Sequence, residues 1–188
     1  MIKRLVAFDF DGTLMNSPEQ ENGIQLWQDK MGYPYPHKGW WGRPESLDLD
    51  VFDIRPFPSV LKQLEKEVST PDTYVIILTS RMEKLRPQLE AVLNKNNIRV
   101  DKVDMKRSER TKGEKILRYL EEFPSIEEIN VYDDRDTDIQ SYEGIRNMIP
   151  KNIVFNIYLA ASGSLSLLEA KNKIVTIVNE VISSFIKK

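Results

Sequence analysis

One pattern constrains this chain more than any other: short apolar runs that each stop at a polar or acidic cluster, separated by stretches with helical spacing. Residues 5–8 run into Asp9 and Asp11, residues 74–78 into Thr79 and Ser80, and residues 129–132 into Asp133 and Asp134. Residues 100–103 and 153–158 complete the set. Runs this short and this apolar suit parallel strands buried on both faces. The segments 60–68, 83–94 and 112–122 space their apolar residues as helices do. A last helix is predicted over about 165–185, with Leu168, Val175, Val178, Ile182 and Phe185 on one face to cover the sheet. This alternation predicts an α/β fold, a doubly wound and mostly parallel sheet with right-handed crossovers and helices on both faces. Ligands of such sheets bind beyond the carboxyl ends of the strands, where the polar clusters fall. One pocket can therefore collect residues that are distant in sequence.

A length of 188 residues suits a single domain, residues 1–188, with one core. Residues 16–58 stand apart, rich in Pro, Gly and aromatic residues (Trp27, Tyr33, Tyr35, Trp40, Trp41, Phe52, Phe57) and weak in periodicity. They are expected to form a small insertion after the first strand, a short cap over the crevice. The net charge of −2 supplies no global basic field for nucleic acid, so a polyanion site has to be local. The absence of cysteine excludes disulfides, thiolate metal sites and cysteine nucleophiles. Asp9 and Asp11 interrupt the first apolar run too soon for a secretion signal, and no apolar stretch reaches the roughly 20 residues of a membrane helix. The expectation is a cytoplasmic protein with no membrane partner. The lone His37, in a Tyr- and Pro-rich loop, is assigned no role.

The acidic clusters carry the chemistry. Just past a strand end, Gly12 permits a backbone turn that lets Asp9 and Asp11 face one cavity. Magnesium prefers oxygen ligands and is usually held by one or two carboxylates together with substrate phosphate oxygens. Asp9, Asp11 and a third acid from Asp133 or Asp134 meet that demand. A carboxylate that attacks a charged phosphoryl group also needs a cation beside it, which a lysine supplies, and a hydroxyl such as Thr79 or Ser80 to orient the oxygens.

In these residues the chain resembles the haloacid dehalogenase-like (HAD) phosphohydrolases. The family's first motif, DxDGT, stands here as Asp9-Phe10-Asp11-Gly12-Thr13 directly after an apolar strand. Its second, a hydroxyl residue ending a strand, matches Thr79 or Ser80, with Thr79 preferred because it follows the apolar run at once. The third, a lysine, best matches Lys115 at the start of a helix, with Lys112 second and Lys106 a further candidate. The fourth, an acidic pair after a strand, matches Asp133 and Asp134, Asp134 being the preferred metal ligand. Asp138 beyond them is divided between the site and a helix cap. The resemblance implies a magnesium-dependent phosphatase that forms an aspartyl-phosphate on Asp9, with Asp11 as general acid and then base. A narrower likeness, to the Swiss Army Knife RNA-repair-like HAD group, rests on Tyr132-Asp133-Asp134-Arg135 and on Gly39-Trp40-Trp41 upstream of Glu45-Ser46-Leu47. It implies a polynucleotide-end phosphatase; with one modest insertion before Thr79 and little room for a second lid between Ser80 and Lys115, the expected site is open and favours a large substrate, a phosphorylated nucleic-acid end or nucleotide. A small-metabolite phosphatase is the second reading, and a non-catalytic binding module on the same fold the third.

Around the motifs, Gly12, Thr13 and Ser80 are candidates for holding substrate. Arg81 and Arg135 either clamp a second phosphate or pair with a neighbouring acid. Trp40 and Trp41 either form a wall on which a base stacks or pack the insertion onto the core.

Overall fold

Residues 1–107 and 110–168 are described by the computed structural model. Five strands run parallel: β1 (Arg4–Phe8), β2 (Thr73–Met82), β3 (Lys102–Lys106), β4 (Glu128–Asp133) and β5 (Val154–Ala161). A short β6 (Ser164–Leu167) turns back antiparallel on β5, and the spatial order is β3-β2-β1-β4-β5-β6. The chain thus leaves β1 toward one edge and later returns beside it as β4. The gap between those strands is the point where the strand order reverses, and ligands of open α/β sheets bind there.

Alternation along the strands sorts the core into two faces. Val6, Phe8, Val75, Ile77 and Tyr132 point to one side, where α2 (Pro58–Val68), α3 (Arg86–Lys95) and the insertion cover them. Leu5, Ala7, Ile76, Leu78, Ile129 and Val131 point to the other, under α4 (Lys112–Glu122) and α5 (Asp136–Ile145). Each fully buried aliphatic side chain contributes about 1.5–3 kcal/mol. On the first face the rings of Phe8, Tyr132 and Tyr158 stack nearly parallel across β1, β4 and β5, at centroid distances of 4.4 and 4.5 Å.

Two predicted elements differ in extent or kind. β3 begins at Lys102 rather than at residue 100 and alternates Val103 and Met105 with polar neighbours, as an edge strand does. The predicted terminal helix does not begin at Leu165, because Ser162 and Gly163, both at positive φ, close a two-residue hairpin that commits residues 164–167 to β6. Leu168 packs against the second core face, while Val175, Val178, Ile182 and Phe185 lie outside the described residues.

Residues 16–58 carry a helix that the weak periodicity did not reveal, α1 (Gln20–Met31), which buries Gly23 and Trp27. A 3-10 turn at Pro44–Leu47 follows it. Trp40 is buried, sits against Phe52 and Tyr35, and donates its indole N–H to the Pro18 carbonyl at 2.8 Å. Among the described residues no helix is long and apolar enough to cross a membrane.

Candidate active site

Asp9 stands one residue past β1 and takes its backbone hydrogen bond from the neighbouring strand, its N–H donating to the Tyr132 carbonyl. After it the chain folds back on itself: Leu14 and Met15 donate to the carbonyls of Asp9 and Phe10, and Gly12 to that of Met15. Gly12 makes this loop possible in two ways. Its φ is +75°, and a Cβ there would lie 2.4 Å from Asp134 Oδ2. The side chain of Asp134 thus packs against bare backbone, and the hydroxyl of buried Thr13 donates to its Oδ1 at 3.1 Å.

The acids from β1 and β4 meet. One oxygen each from Asp9, Asp133 and Asp134 lie within 4.8 Å of one another. Between Asp9 and Asp133 sits the ammonium of Lys112, 2.6 Å from Asp9 Oδ1 and 2.7 Å from Asp133 Oδ2. Asp138 Oδ2 is 3.0 Å from the same nitrogen, outside hydrogen-bonding angle. Asp133, fully buried, also accepts from the Tyr142 hydroxyl and the Arg135 backbone N–H, both at 3.2 Å. The lysine stays charged, its pKa raised against the cost of burial by Asp9, Asp133 and Asp138. Three carboxylates, those of Asp9, Asp133 and Asp138, share this one ammonium. Burial, with repulsion from Asp133 and Asp11 added, pushes Asp9 upward, and burial also raises Asp133 and Asp134.

Lys115, the lysine preferred from sequence, points elsewhere. Its ammonium holds Asp104 Oδ1 at 2.7 Å and the Met105 carbonyl at 3.0 Å on β3. The helix start explains the exchange. Thr111 and Glu114 form a reciprocal capping box that fixes Lys112 as the first residue of α4, nearest the strand ends. Three residues on, Lys115 is displaced about 4.5 Å along the axis. That T-x-x-E signature was visible in the sequence and would have favoured Lys112.

Asp11 has a different partner set. Arg81, buried, grips it bidentately at 2.8 Å on both oxygens, and the Ser17 hydroxyl donates to Oδ1 at 2.5 Å. Its carboxylate is therefore not part of the group formed by Asp9, Asp133 and Asp134. Arg81 also donates to Ser46 Oγ at 2.5 Å and to the Trp41 carbonyl at 3.2 Å, and its guanidinium lies over the Trp41 ring at 5.3 Å. The sequence alternative of pairing with an acid is the one realised. Ser17 and Ser46, isolated serines in the insertion, carried no signal that would single them out. Thr79 is buried where β2 loses register with β3 between Leu78 and Met82, and its Oγ1 accepts the Arg81 N–H at 3.1 Å. Such an irregularity re-aims side chains at the end of a strand.

A cavity of about 400 Å³ opens over these groups, lined by Asp9, Asp11, Glu19, Trp41, Thr79, Ser80, Arg81, Asp134 and Arg135. Glu19 was not foreseen. Trp40 is absent from this wall, so of the two tryptophans one anchors the insertion and the other meets the cavity. The carboxylates outnumber the guanidiniums there, and Lys112 lies behind Asp9 with 4% of its side chain exposed. A divalent cation fits this donor set: three convergent carboxylates, all oxygen, with a charge excess that one ammonium leaves uncompensated.

The sequence profile of HAD domain family 1 in Swiss Army Knife RNA repair proteins matches residues 24–184. An uncharacterized protein of Saccharomyces cerevisiae, YMR265C, is 30% identical over 168 residues, a match that covers 76% of this chain and 36% of that protein. The chain thus spans about a third of the length of this relative. Among solved structures, the Pnkp1/Rnl/Hen1 complex contains a chain that matches with a TM-score of 0.52 at 19% identity, over 87% of this chain and 47% of that one. The HAD domain of the effector Lem4 from Legionella pneumophila matches at 0.50 and 13% identity, over 93% and 95%. These two likenesses concern the fold, a mostly parallel α/β sheet. With its profile match across most of the length, the chain belongs to HAD domain family 1 of Swiss Army Knife RNA repair proteins.

Proposed function

We propose that this domain is a magnesium-dependent phosphomonoesterase that works through a phosphorylated Asp9. The observation that carries the reading is the placement of Asp9 at a cavity wall with its Oδ1 tied to Lys112, while its Oδ2 takes no hydrogen bond among the described residues. Lys112 fixes one oxygen of the carboxylate and leaves the other available to attack phosphorus. The new bond forms from that oxygen as the ester P–O bond breaks. Asp11 gives the leaving oxygen its proton, then takes one from the water that hydrolyses the aspartyl-phosphate, which frees Asp9 and inorganic phosphate. Arg81 and Ser17 hold Asp11 in orientation for both steps. Thr79 and Ser80 line the space in which the phosphoryl oxygens sit, while Gly12 and Thr13, outside that lining, position Asp134 beside it. Asp9, Asp133 and Asp134 would hold the magnesium ion, which supplies the positive charge that lets a phosphate dianion approach an acid-rich wall.

The family description and the fold shared with a chain of the Pnkp1/Rnl/Hen1 complex support a nucleic-acid end or nucleotide as substrate. The modest cavity, partly closed by Glu19 and Trp41, supports the alternative of a small phosphorylated metabolite. Phosphate release from 5′- and 3′-phosphorylated oligonucleotides and from a metabolite panel separates the two. Magnesium-dependent release that EDTA abolishes and Asp9→Asn eliminates is the expected result. Turnover of metabolites alone would reverse the substrate preference, and full turnover in Asp9→Ala would refute the covalent route.

A further inference from the structure

Two features of the cavity wall have no part in the chemistry proposed above: an aromatic plane, Trp41, and a cation without an ion pair, Arg135. Arg81, the other guanidinium on this wall, is spent on Asp11, Ser46 and the Trp41 carbonyl. The side chain of exposed Arg135 makes no hydrogen bond or ion pair among the described residues; its backbone alone is engaged, the N–H by Asp133 and the carbonyl by the N–H groups of Asp138 and Ile139. An anion entering beside the scissile phosphate therefore finds one uncommitted guanidinium there.

Trp41 is fixed before any ligand arrives. Its carbonyl and its ring are both held by buried Arg81, and its neighbour Trp40 is locked into the core by the hydrogen bond to Pro18. The ring remains half-buried at a wall otherwise made of charged and hydroxyl groups. A pre-positioned flat surface loses little entropy when another flat group stacks on it.

We propose that Trp41 and Arg135 are a two-point reader of the group that carries the phosphate: Trp41 stacks on a nucleobase and Arg135 pairs with the adjacent phosphodiester. The inference rests on the phosphomonoesterase reading and narrows its substrate to the phosphorylated end of a polynucleotide. A free nucleotide satisfies one point and a sugar phosphate neither.

The test compares kcat/KM, with magnesium present, for a phosphorylated short oligonucleotide at either end, a nucleoside monophosphate and glycerol phosphate. Trp41→Ala is expected to lower the oligonucleotide and mononucleotide values relative to glycerol phosphate by roughly 5- to 150-fold, the range for lost base stacking. Trp41→Phe should restore most of that ratio. Arg135→Gln should lower the oligonucleotide-to-mononucleotide ratio about tenfold at low salt, an effect that fades as salt rises. Equal losses on all three substrates, or none on the oligonucleotide, overturn the reader. If wild-type protein releases no phosphate from any substrate, the phosphatase reading fails separately. The reader is then decided by the binding of a phosphorylated oligonucleotide to Asp9→Asn protein, followed by tryptophan fluorescence. Weaker binding upon adding Trp41→Ala or Arg135→Gln supports it, and unchanged binding overturns it. Thermal melting of each variant separates these effects from loss of fold.

Discussion

Two charge clusters, one partly buried and one buried, sit at opposite ends of the same strands, and they are built on opposite principles. At the amino ends, Arg4 of β1 holds Glu67 at 2.8 Å, reaches both oxygens of Glu128 at 3.1 and 3.2 Å, and donates to Thr73. Gln63 donates to the other oxygen of Glu67, and Asn130 adds a second donor to Glu128 Oε1. Every charge there has its partner, as a buried ion pair requires if it is to be merely structural. At the carboxyl ends, Lys112 faces an excess of carboxylates, Asp138 is left with an unsatisfied buried oxygen, and burial pushes Asp9 and Asp133 upward. An incomplete, over-acidic cluster costs stability in the bare protein, as the cation site proposed above requires.

The contrast can be broken most decisively at Asp9. Asp9→Asn should lower phosphate release by at least about a thousandfold while leaving the melting temperature equal or higher, because it removes one charge from a crowded group. A clear fall in melting temperature would contradict the imbalance described here. Next in size, Lys112→Met should cut turnover by on the order of a hundredfold. Lys115→Met should change it only about twofold, its ammonium being engaged by Asp104; steady-state kinetics on the pair decides which lysine serves the site.

At the other end of the strands the currency changes from rate to stability. Arg4→Met should cost about 3 kcal/mol in urea unfolding by leaving Glu67 buried without its guanidinium, with kcat close to that of wild type. The smallest effect concerns Glu83, whose carboxyl Arg86 and Arg107 lower to about 2. Because the folded value lies below the unfolded one, its contribution is present above about pH 4.5 and disappears as pH falls toward 2. This carboxylate is about one-third exposed and its pairs are screened by solvent, so Glu83→Gln should cost under about 1 kcal/mol at pH 7, and less still at pH 3. Equal losses at both values would show that the pair adds nothing.

Much of this architecture was legible before any coordinates. The strand cores 5–8, 74–78 and 129–132 and the helix 112–122 were readable because their apolar spacing matches what each element buries. The hairpin at Ser162-Gly163 and the helix Gln20–Met31 were not. The first depends on positive φ at two residues, and the second buries only a narrow strip around Trp27, too little to print a period.

For the site, the sequence alone determined which acids lie at strand ends, since strand length and the turn chemistry of Asp9-Phe10-Asp11-Gly12-Thr13 are local properties. Tertiary structure decided everything that depends on direction and distance: that Lys112 rather than Lys115 reaches Asp9, that Arg81 is used up on Asp11, and that Trp40 is buried while Trp41 meets the cavity. The physical reason is that neighbours one to three positions apart in a chain can differ by several ångströms and by a full change of facing. A charged or aromatic side chain is committed by the partner it meets across the fold, and that partner comes from a different strand or helix.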